Sequence, residues 1–249
     1  MFDRNKRDKH RGRELERVSM HYFLNCPTEQ LELLPADMLY SALSEFNFVA
    51  VASHFISAQI KAANGNLQST DTSYVILKFS CDIFFEYLFH IELFNDGEFT
   101  CLTNTDLIPT VITYLLDNEN FNNYDLDSDD FENEDKLIAY EEFKLLLLIN
   151  EQYMMRSYTS NVNNRVFDGL MRGKSEQPNL TNITGFINLL IYHLNREESN
   201  IIKILILKFL YLVFTTSYVT KMVYLNDLKI LIDIFIRELN NMDNSKENR

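Results

Sequence analysis

The chain has 249 residues, 46% of them hydrophobic, with 6 Gly and 4 Pro. That is enough to bury a large core, and too few turn residues for a large all-β fold. The net charge is -13; residues 1–17 hold seven Lys/Arg and four Asp/Glu, leaving 16 basic against 32 acidic residues after them. So acidic a body repels phosphate backbones and argues against nucleic acid as a partner.

Residues 1–17 read as a charged, flexible arm without apolar periodicity or the apolar segment of a secretory signal. Residues 18–116 read as N-terminal helical repeats. Two helical stretches fall between Pro27 and Ala63, and "PADMLYSALSEFNFVA" places Pro35 where a first helical turn tolerates it. "NGN" (Asn64–Asn66) interrupts them. "SYVILKFSCDIFFEYLFHIELF" (Ser73–Phe94) predicts a long apolar helix that "NDG" (Asn95–Gly97) ends. "TDLIPTVITYLLD" (Thr105–Asp117) predicts the next.

Residues 117–135 carry nine acidic residues and five Asn and read as a solvated loop. Asp125, Asp127 and Asp129 have calcium-loop spacing, but Asp130 stands where Gly is needed and Lys136 where a bidentate Glu is needed, so the calcium reading fails.

Residues 136–241 predict C-terminal armadillo-like repeats, with 242–249 as a disordered tail. Helices are expected at Lys136–Met155 and Asn164–Met171. Ile183, Phe186, Ile187, Leu190, Ile191 and Leu194 form one continuous helical stripe. Asn195 and Glu198 have capping-box spacing and are expected to open the apolar helix Ile201–Phe214. That run is 14 residues long and interrupted by Lys203 and Lys208, short of the ~20 apolar residues of a membrane span.

"YLNDLKILIDIFIREL" (Tyr224–Leu239) is apolar on nearly every face, with one wet strip of Asn226, Lys229, Asp233 and Arg237. Leu107, Phe186 and Leu228, read as first core residues of three similar helices, lie 79 and 42 residues apart. Those intervals fit two units and one unit of about 40, the period of armadillo and HEAT arrays. The fold class expected is therefore all-α, an armadillo/HEAT-like α-solenoid with an acidic loop near its middle. In such an array the last stretch is an inner helix covered from both sides.

No motif for chemistry survives inspection. "DGLMRGKS" (Asp168–Ser175) has three residues between Gly169 and Gly173 where a phosphate loop needs four, and it follows a helix rather than a strand. The alternative is a loop leaving a helix, with Gly173 as its C-terminal cap. His10, His21, His54, His90 and His193 lack partners at metal-ligand spacing, and Cys26, Cys81 and Cys101 are too far apart for a metal knuckle or redox motif. The cysteines read as buried thiols. Glu141 and Glu142 in "EEF" fall on adjacent helix faces and do not face each other. No catalytic residue, metal or cofactor is expected, and the chain reads as a binding protein rather than an enzyme.

Five blocks occur in order over the second half: "LLLLINEQYMM", "NRVFDGLMRGKS", "LLIYHLNREESN", "ILKFLYLVFTT" and "YLNDLKILIDIFIREL". Together they resemble the leucine-rich armadillo domain of the WISH/DIP/SPIN family. The resemblance implies binding to the actin-related protein 2/3 complex and its activation without a pre-existing filament. Linear actin filaments then seed branched networks in endocytosis, in the cytoplasm at cortical actin patches. It also implies endocytic adapter proteins as a partner class, although this chain has no proline-rich run to dock them. Family members continue past the "IREL" helix with further helices, whereas "NNMDNSKENR" follows here, so a shortened copy that binds without activating is the alternative expectation.

Within these blocks Arg165, Arg172, Lys174, Asn195 and Arg196 are expected to be exposed and to contact the partner. Each has a structural alternative, Asn195 as a helix cap and Arg165 and Arg196 as helix-start charges. Two other classes stay open. A general helical-repeat scaffold predicts a groove for an extended peptide; an enzyme with dispersed residues predicts a deep polar pocket with shifted pKa values.

Overall fold

The computed structural model describes residues 36–63, 72–91, 93–117, 134–172, 180–216 and 225–247. The readings of the N-terminal arm, the calcium-like Asp residues, Lys174 and Gly173 lie outside the described residues. Those described form ten α-helices and no strand: α1 (Ala36–Glu45), α2 (Phe48–Ala63), α3 (Thr72–Ile91), α4 (Asp96–Asn104), α5 (Leu107–Asp117), α6 (Glu134–Ser157), α7 (Arg165–Arg172), α8 (Leu180–Arg196), α9 (Asn200–Thr215) and α10 (Leu225–Glu247). The fold is all-α, as expected.

Several boundaries differ from the sequence reading, each for a local reason. "PADMLYSALSEFNFVA" divides into two helices because Asn47 adopts a left-handed φ of 55°, which Asn tolerates better than most residues. Its carbonyl then accepts from the amides of Ala50 and Val51, starting α2. "NDG" does not merely end α3. Asn95 caps a further helix, α4: its side-chain oxygen accepts from the Glu98 amide at 2.9 Å, and the Glu98 carboxylate accepts from the Asn95 amide at 3.1 Å. Both ends of the acidic stretch are helical, at Asp117 in α5 and at Glu134 and Asp135 in α6. The final helix runs on to Glu247, six residues into the stretch read as a disordered tail.

The helices form two rows. α3, α6 and α9 make one; α2, α5 and α8 make the other, with α10 packed on α8. α2 packs on α3, α5 on α6 and α8 on α9 across the rows, while α7 fits between α5, α6 and α8. At Gly169 a Cβ would lie 2.7 Å from Ile112 Cδ1, so the glycine lets α7 approach α5 closely.

α6 is the central element, touching α3, α5, α7 and α9. From Leu145 to Asn150 every side chain is buried. The all-round burial expected of the Tyr224–Leu239 stretch therefore belongs to α6. Among the described side chains of α10 only Leu231 and Ile234 are buried, and Leu228, read as a core residue, is 38% exposed. Leu107 and Phe186 are core residues as read. Among the described residues α10 packs chiefly on α8, and Ile230, Ile232, Ile236 and Leu239 stay exposed.

Candidate interaction surface

α6 organises the loops around it through polar groups on its last turns. Buried Asn150 accepts from Asn164 Nδ2 at 2.7 Å, and Asn164 Oδ1 caps α7 by accepting from the Val166 and Phe167 amides. Glu151 pairs with Lys208 of α9. Gln152 accepts from the Phe94 amide at 2.9 Å, fixing the turn between α3 and α4. Arg156 pairs with Asp96 at 2.5 Å and lies over the Phe99 ring.

Lys174 apart, the predicted partner residues fall into different settings. Arg165 is exposed at the first turn of α7 and donates to the carbonyl of Thr103 at the end of α4. Arg172 is the last residue of α7. Asn195 and Arg196 are both exposed at the end of α8. The Asn195 side chain and carbonyl accept from the two terminal nitrogens of Arg237 at 2.8 and 3.2 Å. The Arg196 guanidinium sits 4.1 Å from the centre of the Tyr192 ring. Arg165 is thus tied to α4 and Asn195 to α10.

Asn195 is not a helix cap and Arg196 is not a helix-start charge. α8 continues through both, and α9 begins after Ser199, whose side chain makes no capping bond. Glu197 organises this turn instead, accepting from the Ser199 amide at 2.7 Å and from the Tyr140 hydroxyl. Burial and that carboxylate push the Tyr140 hydroxyl pKa well up. Arg165 does occupy the helix start expected of it.

The sequence reading missed a set of exposed apolar rows. On α9 they are Ile201, Ile204, Leu207 and Tyr211; on α10, Ile232, Ile236 and Leu239, with Leu239 62% exposed. The ion pair of Lys203 and Glu238 at 3.1 Å joins the two helices. Lys229, Asp233 and Arg237 are exposed as expected, but among apolar neighbours that are exposed too. A helix apolar all round either lies inside a stack or stands at its edge, and periodicity alone does not distinguish the two.

A second missed feature is ionic and lies in the seam of α3 and α6. Lys78 pairs with Asp82 at 3.0 Å; Lys144 pairs with Glu141 at 2.5 Å and lies 3.8 Å from Asp82. Burial, with help from the hydrogen bond to Asp82, pushes the Glu141 carboxyl up to about 7. Asp82 is held below the usual range, because its bonds to Glu141 and Lys78 outweigh its desolvation. Next to Glu141, Glu142 is fully buried with neither oxygen bonded, and burial raises its pKa well above the ordinary value. Cys81 is buried as expected, its thiol pushed well up; Cys101 is half-buried.

His90 pairs with Asp37 of α1 at 3.2 Å and stacks on the Tyr40 ring. Among the described residues no group of three or more His, Cys, Asp and Glu could hold a metal, and no helix is long and apolar enough to cross a membrane.

Among the described residues these features form an all-helical stack whose edge helices carry exposed apolar rows. Residues 135–249, which contain α9 and α10, match the family model described as SPIN90/Ldb17, leucine-rich domain. The resemblance carried by the five sequence blocks is borne out by that match. Protein LDB17 of Saccharomyces cerevisiae is 34% identical over 116 residues, covering 45% of this chain and 22% of the relative. Protein dip1 of Schizosaccharomyces pombe is 41% identical over 97 residues, 39% of this chain and 25% of the relative. Protein LDB17 of Eremothecium gossypii is 35% identical over 107 residues, 42% and 22% respectively. The matched stretch thus spans a quarter or less of the curated relatives. No solved structure matches the chain.

Proposed function

We propose that this chain is an armadillo-type, non-enzymatic regulator that binds the actin-related protein 2/3 complex and shifts it toward its active conformation. It would thereby start linear filaments that seed branched networks in endocytosis, in the cytoplasm at cortical actin patches. The observation that carries this reading is the match of residues 135–249 to the SPIN90/Ldb17 leucine-rich domain, together with the five ordered blocks. The two rows of helices, paired across their interface, suit a repeat array. The apolar rows of α9 and α10, with Asn195, Arg196 and Arg237 at their margin, offer the partner a surface of stacked side chains rather than a pocket.

A second reading is binding without activation. It is favoured by α10, whose Ile232, Ile236 and Leu239 are exposed. Assembly of pyrene-labelled actin with purified complex, without added filaments or other activators, separates the two when run beside a pull-down. Retention with a shortened lag supports activation. Retention with an unchanged lag supports binding alone. If the chain neither shortens the lag nor retains the complex, both readings fail.

A further inference from the structure

α10 is fastened to the stack less firmly than its neighbours. α9 buries Ile202, Leu205, Ile206, Phe209, Leu210 and Val213. Among the described side chains of α10 only Leu231 and Ile234 are buried, while Asp227 and Glu238 are half-buried and the rest are exposed. Asp227, Leu231, Ile234 and Glu238 follow one another at steps of four, three and four, so they form one stripe, the face that α10 turns to the stack. Half of that stripe is carboxylate. One Asp227 oxygen is buried there without a hydrogen-bond partner, which costs stability.

Polar bonds at one place on α10 make up for the thin apolar contact. Both terminal nitrogens of Arg237 donate to Asn195, at 2.8 Å to its side chain and 3.2 Å to its carbonyl, at the end of α8. The next residue, Glu238, accepts from Lys203 of α9 at 3.1 Å, with both side chains mostly buried. Successive helical residues point about 100° apart, so one bond reaches α8 and the other α9.

An element that buries little apolar surface opens at a free energy well below that of global unfolding, and opens as a unit. α8 and α9 are held by their own buried rows and stay in place when it does. We propose that α10 is a strap that lifts from α8 as one unit, with the Arg237–Asn195 and Lys203–Glu238 bonds as its clasp. Lifting carries Ile232, Ile236 and Leu239 away from the exposed row of α9, so the two rows make one surface only while the strap is docked. That consequence for a partner rests on the proposed function; the strap itself does not.

The test is amide hydrogen exchange of the full chain without any partner, read by mass spectrometry on fragments of α6 and α10 under conditions where exchange follows the opening equilibrium. The expected result is a common protection across residues 228–241, with exchange about a hundredfold faster than at residues 145–150 of α6. Arg237→Ala and Lys203→Glu each speed exchange in α10 about fivefold further and leave α6 unchanged. Ala favours a helix more than Arg does, so the acceleration by Arg237→Ala reports the lost clasp and not a weakened helix. Exchange in α10 as slow as in α6 overturns the proposal. So does a rate that climbs steadily toward one end of α10, which is fraying. An unchanged rate in both variants overturns it too, as does an acceleration that α6 shares equally, which makes α10 part of the global unit.

Discussion

Glu142 has no exposed surface, and neither of its carboxyl oxygens has a hydrogen-bond partner. A buried polar group in that state costs about 1–3 kcal/mol. Glu142→Met, close in volume and free of that cost, is expected to raise stability by a similar amount, about 2–4 °C in Tm per kcal/mol at this chain length. A lower Tm by calorimetry would show that the carboxyl contributes to the packing. Glu141 adds a pH dependence of known sign. Its folded pKa of about 7 lies above its ordinary value of 4.5, so the folded state binds the extra proton between those limits. Its contribution to stability is present at and below pH 4.5 and is lost as pH rises toward 7. Denaturant midpoints of the parent protein should thus fall across pH 5–7 relative to those of Glu141→Gln; parallel pH profiles would contradict the assignment. Asn95 and Asn195 share the spacing Asn-x-x-Glu, yet only Asn95 forms the reciprocal box. At Asn195 the preceding helix continues through the site, a tertiary outcome that local spacing does not report. Asn95→Ala should cost about 1 kcal/mol, and Asn195→Ala clearly less, in urea titrations of both variants.

At the scale of elements, the helices of the second half were legible because their stripes are long and regular: α9 lies within one residue of its expected limits, and α8 within three residues of the ends of its stripe. α4 was hidden because "NDG" signals a stop as well as a start, and the reciprocal bonds of Asn95 and Glu98 decide between them. The placement of α6 at the centre and α10 at an edge was not legible. Both sequences are apolar on most faces, and only the assembly decides which is covered. The Lys78–Asp82–Lys144–Glu141 cluster was hidden for the same reason, since its members come from α3 and α6. Gly169, which in sequence brushed a phosphate loop, serves the contact of α7 with α5. Gly169→Leu should therefore overpack that contact and destabilise the protein by about 1–3 kcal/mol. Gly169→Ala should be far milder, since the methyl meets only the flexible end of Ile112 and gains helix propensity. Thermal melts of the two variants check the difference.

For the whole molecule, the all-α class followed from composition and periodicity, and the two rows give it an order in which α6 is the shared neighbour of α3, α5, α7 and α9. The expected partner residues were only partly brought together: Arg165 joins α4, whereas Asn195 joins α10. What periodicity did not reveal was the apolar surface left at the edges, which the proposed function assigns to the actin-related complex. Its most direct measurement is the pyrene-actin lag with purified complex, for the parent chain and for Ile236→Lys with Leu239→Lys. Both side chains are exposed, so the double variant should melt like the parent, each change staying within about 0.5 kcal/mol. The account predicts a lag that shortens with increasing parent chain and does not shorten with the variant. A lag unchanged by the parent chain, with no complex retained on it, would contradict the account.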